Sequence, residues 1–491
     1  MPQLFFTDRA ALHRSVIAGD VAHSLSAETI TASERFGLSD GMPFVLGSDG
    51  SYDHDLNRFF RACPTMGVRS LNSLKAYARD IVTWLRFLEE HRGGKTAWQA
   101  DRDDIAAFHE VRRLSGPAHR LAAASWNRAV AALDKLYGWG IEERLTAVAP
   151  FTYQRQWVRR VGGGAALVVT ANRARERRAR QGDVRFLDME RFLLFRDVGL
   201  RGRLPDGRPD PAARNRNSER NALFAEVLIT TGLRLEEASS LLTLELPHLT
   251  DVPAGARSVP VRLASATAKG VKGREYRLPI RLLRRMRHYA EVERANAAAY
   301  LTNSARHVRM RRPIALVGQG HTGVVLDDGS GPVRVSLDLL RPAERHRLLS
   351  QTGQGGHEPA LLWLTEGGRP MPPSSWQAVF ARASARCRTF GIDLHVSPHM
   401  LRHSFAIHML AMLIREQIGW VLDNQGAGGE RHGPAYRRLI GDPLLKLQRL
   451  MGHSSIESTY IYLQHLEESR ELVEAAVERW SAALSSDKDA L

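Results

Sequence analysis

The stretch SLNSLKAYARDIVTWLRFLEEH, beginning at Ser70, leaves the chain little freedom. Leu74, Tyr77, Ile81, Trp84, Leu85 and Leu88 recur at helical spacing, which lays one apolar stripe along a helix and polar residues on its other side. A helix of that kind is stable only against partners. Two follow at once. DRDDIAAFHEVRRL has an acidic first turn, and SWNRAVAALDKLYGWGIEE places Trp126, Val130, Leu133 and Tyr137 on one face, with Ser125 as its expected N-cap. Pro150 closes the set. A small all-helical domain is expected over 55–150, after an N-terminal extension (1–54) of polar, glycine and short apolar pieces.

Beyond it, QRQWVRRVGGG and NRARERRARQG are dense in arginine and poor in periodicity, and 151–183 reads as an Arg/Gly-rich linker. This run is either a solvated connector or a strap laid along phosphates. A second domain is expected over 184–480, ahead of a tail at 481–491. Its first part, ERNALFAEVLITTGLRLEEASSLLTLEL, is an apolar helix stopped at Gly232, with a fresh helix starting near Arg234 or Leu235. SVPVRLASATAKGVKGREYRLPI alternates around a Gly-rich turn and predicts a hairpin or small three-stranded sheet. The Gly/Pro-rich segment at about 301–360 and the stretch 416–443 read as insertions. The expected fold class is α+β and mostly α-helical: a helical domain beside a mixed one with a small antiparallel sheet.

Composition narrows the function. The 491 residues suit two or three domains, and 69 Lys+Arg against 53 Asp+Glu leave a net charge of +16, an excess that attracts polyanions, nucleic acid above all. Cys63 and Cys387, the two cysteines, lie far apart and outside any CxxC spacing, which argues against a disulfide scaffold or a Cys-based zinc site and fits a reducing compartment. The N-terminus has no signal-peptide core, and no apolar run reaches membrane-spanning length, so a cytoplasmic protein without a membrane partner is expected.

Several short stretches carry polar residues that a packed helical domain does not need. TGLRLEEASSL holds Arg234 and, one turn on, Glu237, a spacing at which the carboxylate can orient the guanidinium. SPHMLRHSF holds His399 and Arg402; TAKGVKGREYRLPI holds Lys269 and Lys272 at its turn; LMGHSSIESTYIYL holds His453, Tyr460 and Tyr462. Singly, these are ordinary surface pairs, solvated lysines and packing tyrosines. Together, two arginines, a lysine, two histidines and a tyrosine are what metal-free phosphodiester transfer requires. Arginine clamps the charged oxygens where other enzymes use Mg²⁺. Lysine protonates the departing alkoxide. A tyrosine, weak at its free pKa of about 10, becomes a nucleophile in an electropositive pocket or beside a base.

In this order the stretches resemble the boxes of the tyrosine recombinase (phage integrase) family. TGLRLEEASSL is similar to its first box, AKGVKGREYRLPI to its β-hairpin lysine segment, HMLRHSFAIHML to its second box and LMGHSSIESTYIYL to its terminal box. The likeness covers about 220–465 well, and the helical region at 70–150 resembles the family's core-binding domain less specifically. The resemblance implies that Arg234 and Arg402 bind the non-bridging oxygens and that Lys269, with Lys272 as the weaker candidate, protonates the leaving 5′-oxygen. It implies further that His399 acts as base or phosphate donor, that His453 hydrogen-bonds the phosphate, and that Glu237 supports the clamp. The family's nucleophile stands nine residues after the Gly-His histidine, here Tyr462; Tyr460 points about 200° away on a helix of ~100° per residue. Ser454 and Glu457 are expected to cap that helix. No metal and no cofactor is implied. The implied partner is double-stranded DNA, gripped by both domains, with the chain as a homo-oligomer (a tetramer) in which the helix ESRELVEAAVERWSAAL docks on a neighbour. The insertions point to a mobile element's recombinase. The alternatives from the same residues are a type IB topoisomerase-like nicking-closing enzyme and an inert DNA-binding regulator of the same fold.

Overall fold

The computed structural model describes residues 1–8, 11, 16–18, 21–35, 40–68, 70–116, 120–158, 167–176, 184–213, 217–268, 270, 273–303, 313–320, 323–329, 331–352, 356–425 and 442–466. The chain divides into two compact units, Met1–Gly182 and Asp183–Leu491.

The first unit contains β1 (Gln3–Phe6), β2 (Val16–Ala18), β3 (Val21–His23), α1 (Ala27–Arg35), β4 (Pro43–Leu46), α2 (His54–Ala62), α3 (Leu71–His91), α4 (Arg102–His109), α5 (Ala123–Glu142), β5 (Tyr153–Val158) and β6 (Leu167–Asn172). The apolar stripes do what their spacing dictates. Leu74, Ile81, Trp84, Leu85 and Leu88 of α3 are buried against Trp126, Val130, Leu133 and Tyr137 of α5, while Tyr77 sits at the margin. Inside that core the Trp84 indole N–H donates to Tyr137 Oη (2.9 Å), and the phenol donates to Ala97 O (2.8 Å), so the buried polar atoms are satisfied.

Three local expectations give way. Helix α5 starts two residues earlier than Ser125, with Ala122 as N-cap, because Ala123 and Ala124 extend it without cost. Residues 1–54 are not a detached extension: β1 pairs antiparallel with β4, and Val45 joins the helical core, its N–H and C=O both bonded to the buried Asn57 amide (2.7 and 2.9 Å). Nor is the segment from 151 a plain linker. β5 and β6 form a hairpin tied to α5 through Tyr153 and Asn172, which both donate to Asp134, and the Trp126 indole donates to Ala174 O. The arginine-dense parts at 159–166 and 177–183 lie outside the described residues.

The second unit runs α6 (Met189–Leu194), α7 (Ser218–Thr231), α8 (Leu235–Ser239), β7 (Ser258–Leu263), β8 (Arg274–Pro279), α9 (Ile280–Glu291), α10 (Glu293–Asn303), β9 (Ile314–Gly320), β10 (Gly323–Asp327), β11 (Pro332–Val335), α11 (Pro342–Arg345), β12 (Leu348–Gln351), β13 (His357–Pro359), α12 (Pro373–Thr389), α13 (Pro398–Gln425), α14 (Pro443–Met451) and α15 (Glu457–Tyr460). Its main core joins α7 to α12, where Phe224 stacks on Trp376 with centroids 3.6 Å apart. β7 and β8 form the expected antiparallel hairpin, registered from Ser258↔Pro279 to Leu263↔Arg274. The segment read as a 301–360 insertion builds a five-stranded sheet in the order β11-β10-β9-β12-β13, over a small core of its own. One pair, β9–β12, is parallel, so this sheet is mixed. Residues 426–441 of the other insertion, and 467–491 with the expected C-terminal docking helix, lie outside the described residues. The fold is mostly helical α+β with small sheets. Among the described residues no helix is long and apolar enough to cross a membrane.

Candidate active site

The site begins where α7 stops. Gly232 caps that helix at φ +64°, and a Cβ there would come within 2.3 Å of the Phe405 ring, so only glycine lets α7 end against α13. Two residues on, Arg234 is the N-cap of α8, and Glu237 reaches back to accept its backbone N–H (2.7 Å). The same carboxylate accepts from Arg234 Nη1 (2.9 Å) and from Arg274 Nη1 and Nη2 (2.9 and 2.7 Å). Glu237 is 1% exposed. Burial would raise its pKa, but the hydrogen bonds and charge of Arg274, then those of Arg234, outweigh it and hold the carboxyl at about 2.

Arg274, the first residue of β8, also donates through Nε to Leu450 O (3.1 Å) near the end of α14. Gly452 ends α14 at φ +62°, packed against the Arg274 side chain. Arg402 on α13 completes the clasp. Its Nη2 donates to Met451 O (2.5 Å) and its Nη1 to Gly232 O, so one buried guanidinium joins the turn after α7 to the end of α14. Burial lowers its pKa to about 9, with Arg234 and Arg274 adding repulsion and Glu237 opposing it. At neutral pH the group is still a cation.

The terminal box places its two tyrosines differently. Tyr462 is 2% exposed and packs among Phe405, Ala406, Leu410, Leu447 and Met451, whereas Tyr460 is 49% exposed. Tyr462 Oη lies 3.0 Å from His403 Nδ1. Burial raises the phenol's pKa, while the charges of Arg402 and Arg234 act to lower it, which puts both cations within electrostatic reach of this hydroxyl. His453 lies nearly parallel to the Tyr462 ring (centroids 6.1 Å apart, 17°), with Nδ1 3.0 Å from Thr459 Oγ1. Burial, then Arg402, Arg234, Arg274 and His403, lowers it to about 4, so it is neutral at pH 7. Ser454 does not cap here: Ser455 Oγ accepts from Glu457 N–H (3.2 Å), because α15 begins only at Glu457.

A cleft of about 460 Å³ opens beside these groups, lined by Arg234, His395, His399 and Arg402 with Gln377, Phe380 and Pro398. His399 is exposed, its ring 4.2 Å (centroid to centroid) from that of His403. Arg234, Glu237, His399, Arg402, His453 and Tyr462 are thus drawn from distant segments into one region. Lys269 and Lys272 lie outside the described residues, although the strands flanking their turn are described. Two residues of the region escaped the sequence reading. Arg274 alternates with buried Tyr276 and Leu278, and an arginine on the inward side of a strand was the available signal. His403 follows His399 by one helical turn, which puts both on one face.

Residues 56–144 match the family profile described as phage integrase, N-terminal SAM-like domain. The chain is similar to tyrosine recombinase XerD of Mycobacterium leprae (strain TN), 35% identical over 104 residues, 21% of this chain and 23% of that protein. It is also similar to XerD of Mycobacterium tuberculosis (strain ATCC 25618 / H37Rv), 32% identical over 152 residues, 29% of this chain and 38% of the other. The chain thus spans well under half the length of these curated relatives. Among solved structures, XerH site-specific recombinase bound to palindromic difH substrate in a post-cleavage complex is 15% identical, with 87% of this chain and 85% of that chain covered and a TM-score of 0.47.

Proposed function

We propose that this chain, a member of the tyrosine recombinase (phage integrase) family, is a site-specific DNA recombinase that cuts and rejoins strands through a tyrosyl phosphodiester. In this reading a backbone phosphate enters the cleft and meets Arg234 and Arg402, whose guanidiniums match its non-bridging oxygens. Charge builds on those oxygens in the transition state, and fixed cations in a partly desolvated site stabilise it most there. In the same reading His453, neutral at pH 7, and His399 hydrogen-bond that group. Glu237, held ionised by Arg274, keeps Arg234 aimed. Tyr462 attacks phosphorus in line; the O5′–P bond breaks, and Lys269 protonates the departing oxygen. The 3′-phosphotyrosyl ester keeps the bond energy, so a 5′-hydroxyl on another strand reverses the step without ATP or metal.

One observation carries the reading: Tyr462 is buried beside His403 and His453 and packs with Met451, whose carbonyl Arg402 holds, while its neighbour Tyr460 faces solvent. Double-stranded DNA is the proposed partner, bound with a steep salt dependence because phosphate contacts dominate, and strand exchange is proposed to need an oligomer of the chain. The insertions favour a mobile element's recombinase. The test uses nicked duplexes tiled across the DNA that flanks the coding sequence. An SDS-resistant protein–DNA adduct is expected from wild type and from Tyr460→Phe, in EDTA as well as without it, and none from Tyr462→Phe. Adducts that survive Tyr462→Phe, or vanish with EDTA, overturn the proposal.

A further inference from the structure

Tyr462 cannot attack as a phenol; its proton must leave as the O–P bond forms. At 2% exposure the residue has no direct route to bulk water. The polar atom beside its hydroxyl is His403 Nδ1, at 3.0 Å, and the His403 ring packs edge-on against His399, which lines the cleft. We propose that His403 is the proton acceptor for Tyr462 and passes the charge outward through His399, so that two histidines one helical turn apart form the nucleophile's proton route.

This proposal rests on the recombinase reading. In the forward step the Tyr462 O–H bond breaks, the proton goes to His403 Nδ1, and the phenolate oxygen bonds to phosphorus as the O5′–P bond breaks. The leaving oxygen takes its proton from a separate donor, the proposed Lys269. His403 then sheds its Nε2 proton towards His399 and the cleft, and religation runs the path backwards. The imidazole is suited to this. Accepting at Nδ1 requires the neutral tautomer protonated on Nε2, so a proton enters on one nitrogen and another leaves from the second. The groups facing His403 keep it neutral: burial first, then His399 and Arg402 on its own helix and His465 beyond Tyr462, lower its pKa to about 4. Tyr462 completes its surroundings, and His453 lies within its field. A neutral ring can take a proton at neutral pH; a cationic one cannot.

The experiment compares wild type, His403→Gln and His403→Phe for the single-turnover rate of adduct formation against pH. Two versions of the cleaved duplex are used, with oxygen or with sulfur at the 5′-bridging position. Glutamine can accept the phenol hydrogen bond but cannot hold the proton; phenylalanine fills the space and does neither. Both variants are expected to bind the duplex as wild type does, to form adduct about 10²-fold slower or worse at pH 7, and to have their acid limb moved to higher pH. The sulfur leaving group needs no proton, so it should rescue Lys269→Ala but neither His403 variant. In the DNA-free protein, ¹⁵N NMR should find His403 Nδ1 unprotonated at pH 7 and shifted by Tyr462→Phe. A wild-type adduct with His403→Gln unchanged in rate and pH profile, rescue of His403→Gln by sulfur, or an Nδ1 that carries the proton overturns the relay alone. A wild-type chain that forms no adduct on any duplex overturns the recombinase reading, and the relay with it.

Discussion

Two carboxylates in the second unit, Glu237 buried and Glu245 part-buried, are built alike and end differently. Glu237 and Glu245 each stand three residues past a helix N-cap, accept the cap's backbone N–H (Arg234 and Leu242), and take a bidentate arginine from a distant segment (Arg274 and Arg345). At Glu245 the arrangement closes on itself. Arg345 is 1% exposed and all five of its N–H groups have acceptors: two on Glu245 and one each on the carbonyls of Leu340, Ser240 and Leu337. It staples the inserted sheet to the loop after α8. At Glu237 a second arginine enters. Arg234 makes one side-chain bond among the described residues, and its side chain is 26% exposed, on the cleft. One anion holds a structure shut, whereas the other holds a cation's remaining donors open. A cationic side chain kept rigid but unsatisfied is ready for an anionic ligand; a fully satisfied one is scaffold.

If that contrast is right, the two arginines fail in different assays. Arg234→Ala should lower the adduct-forming rate by about 10³-fold, the scale of removing a preorganised oxyanion donor, while its thermal midpoint stays near wild type. Single-turnover kinetics and calorimetry on one preparation test both halves. Arg345→Met should do the reverse. It leaves the part-buried Glu245 and three backbone carbonyls without their donor, which costs about 3 kcal/mol, or on the order of 10 °C in midpoint, and the protein still folded should form adduct at the wild-type rate. A normal midpoint for Arg345→Met, or a rate loss as large as that of Arg234→Ala, would dissolve the distinction.

The next effect reads Glu237 by pH. Its folded pKa, about 2, lies below the ordinary value of 4.5. A depressed carboxylate contributes stability that is fully present above 4.5 and is lost as pH falls through 2, because the unfolded chain then binds the proton first. The shift corresponds to roughly 3 kcal/mol. Urea midpoints of wild type should therefore fall between pH 4.5 and 2 more steeply than those of Glu237→Gln, which should start lower at pH 7. Parallel curves for the two proteins would mean that the Arg274 and Arg234 contacts do not hold the charge.

Much of this region was legible because its pairings are local. Arg234 and Glu237 are one turn apart, so the sequence displays their contact; so do the apolar stripes of α3 and α5. Arg274 was not legible in the same way. Its partner Glu237 lies 37 residues away and its second acceptor, Leu450 O, 176 residues away. Alternation with Tyr276 and Leu278 turns Arg274 inward, but nothing in the spacing of KGREYR tells which carboxylate it will meet there. His403 was hidden by proximity instead, since its neighbour Arg402 accounted for the motif. β1 looked like an extension because four residues cannot declare a partner; it is β4, close to forty residues on, that commits it to the helical core. The parallel pair in the inserted sheet is equally non-local, and alternation predicts a strand without saying which neighbour it will have.

The smallest effect separates backbone strain from side-chain displacement at the edge of the Glu237 cluster. Gly452 and Gly391 both adopt left-handed backbone, at φ +62° and +73°. A Cβ at Gly391 would meet nothing within 4 Å, whereas one at Gly452 would stand 2.8 Å from Arg274 Cδ. Alanine at either position costs about 1 kcal/mol for the φ alone. At Gly452 the obstruction is a flexible chain, so the protein can relieve it by moving Arg274, and the loss then falls on the bonds from Arg274 to Glu237 and Leu450 O. Gly391→Ala should therefore lower stability slightly and leave the adduct-forming rate intact. Gly452→Ala should lose a similar stability plus several-fold in rate, through an Arg234 that is less firmly aimed. Equal rates for the two variants would show that Arg274 can shift without disturbing the clamp, and that Glu237 holds Arg234 through the backbone cap and its single side-chain bond alone.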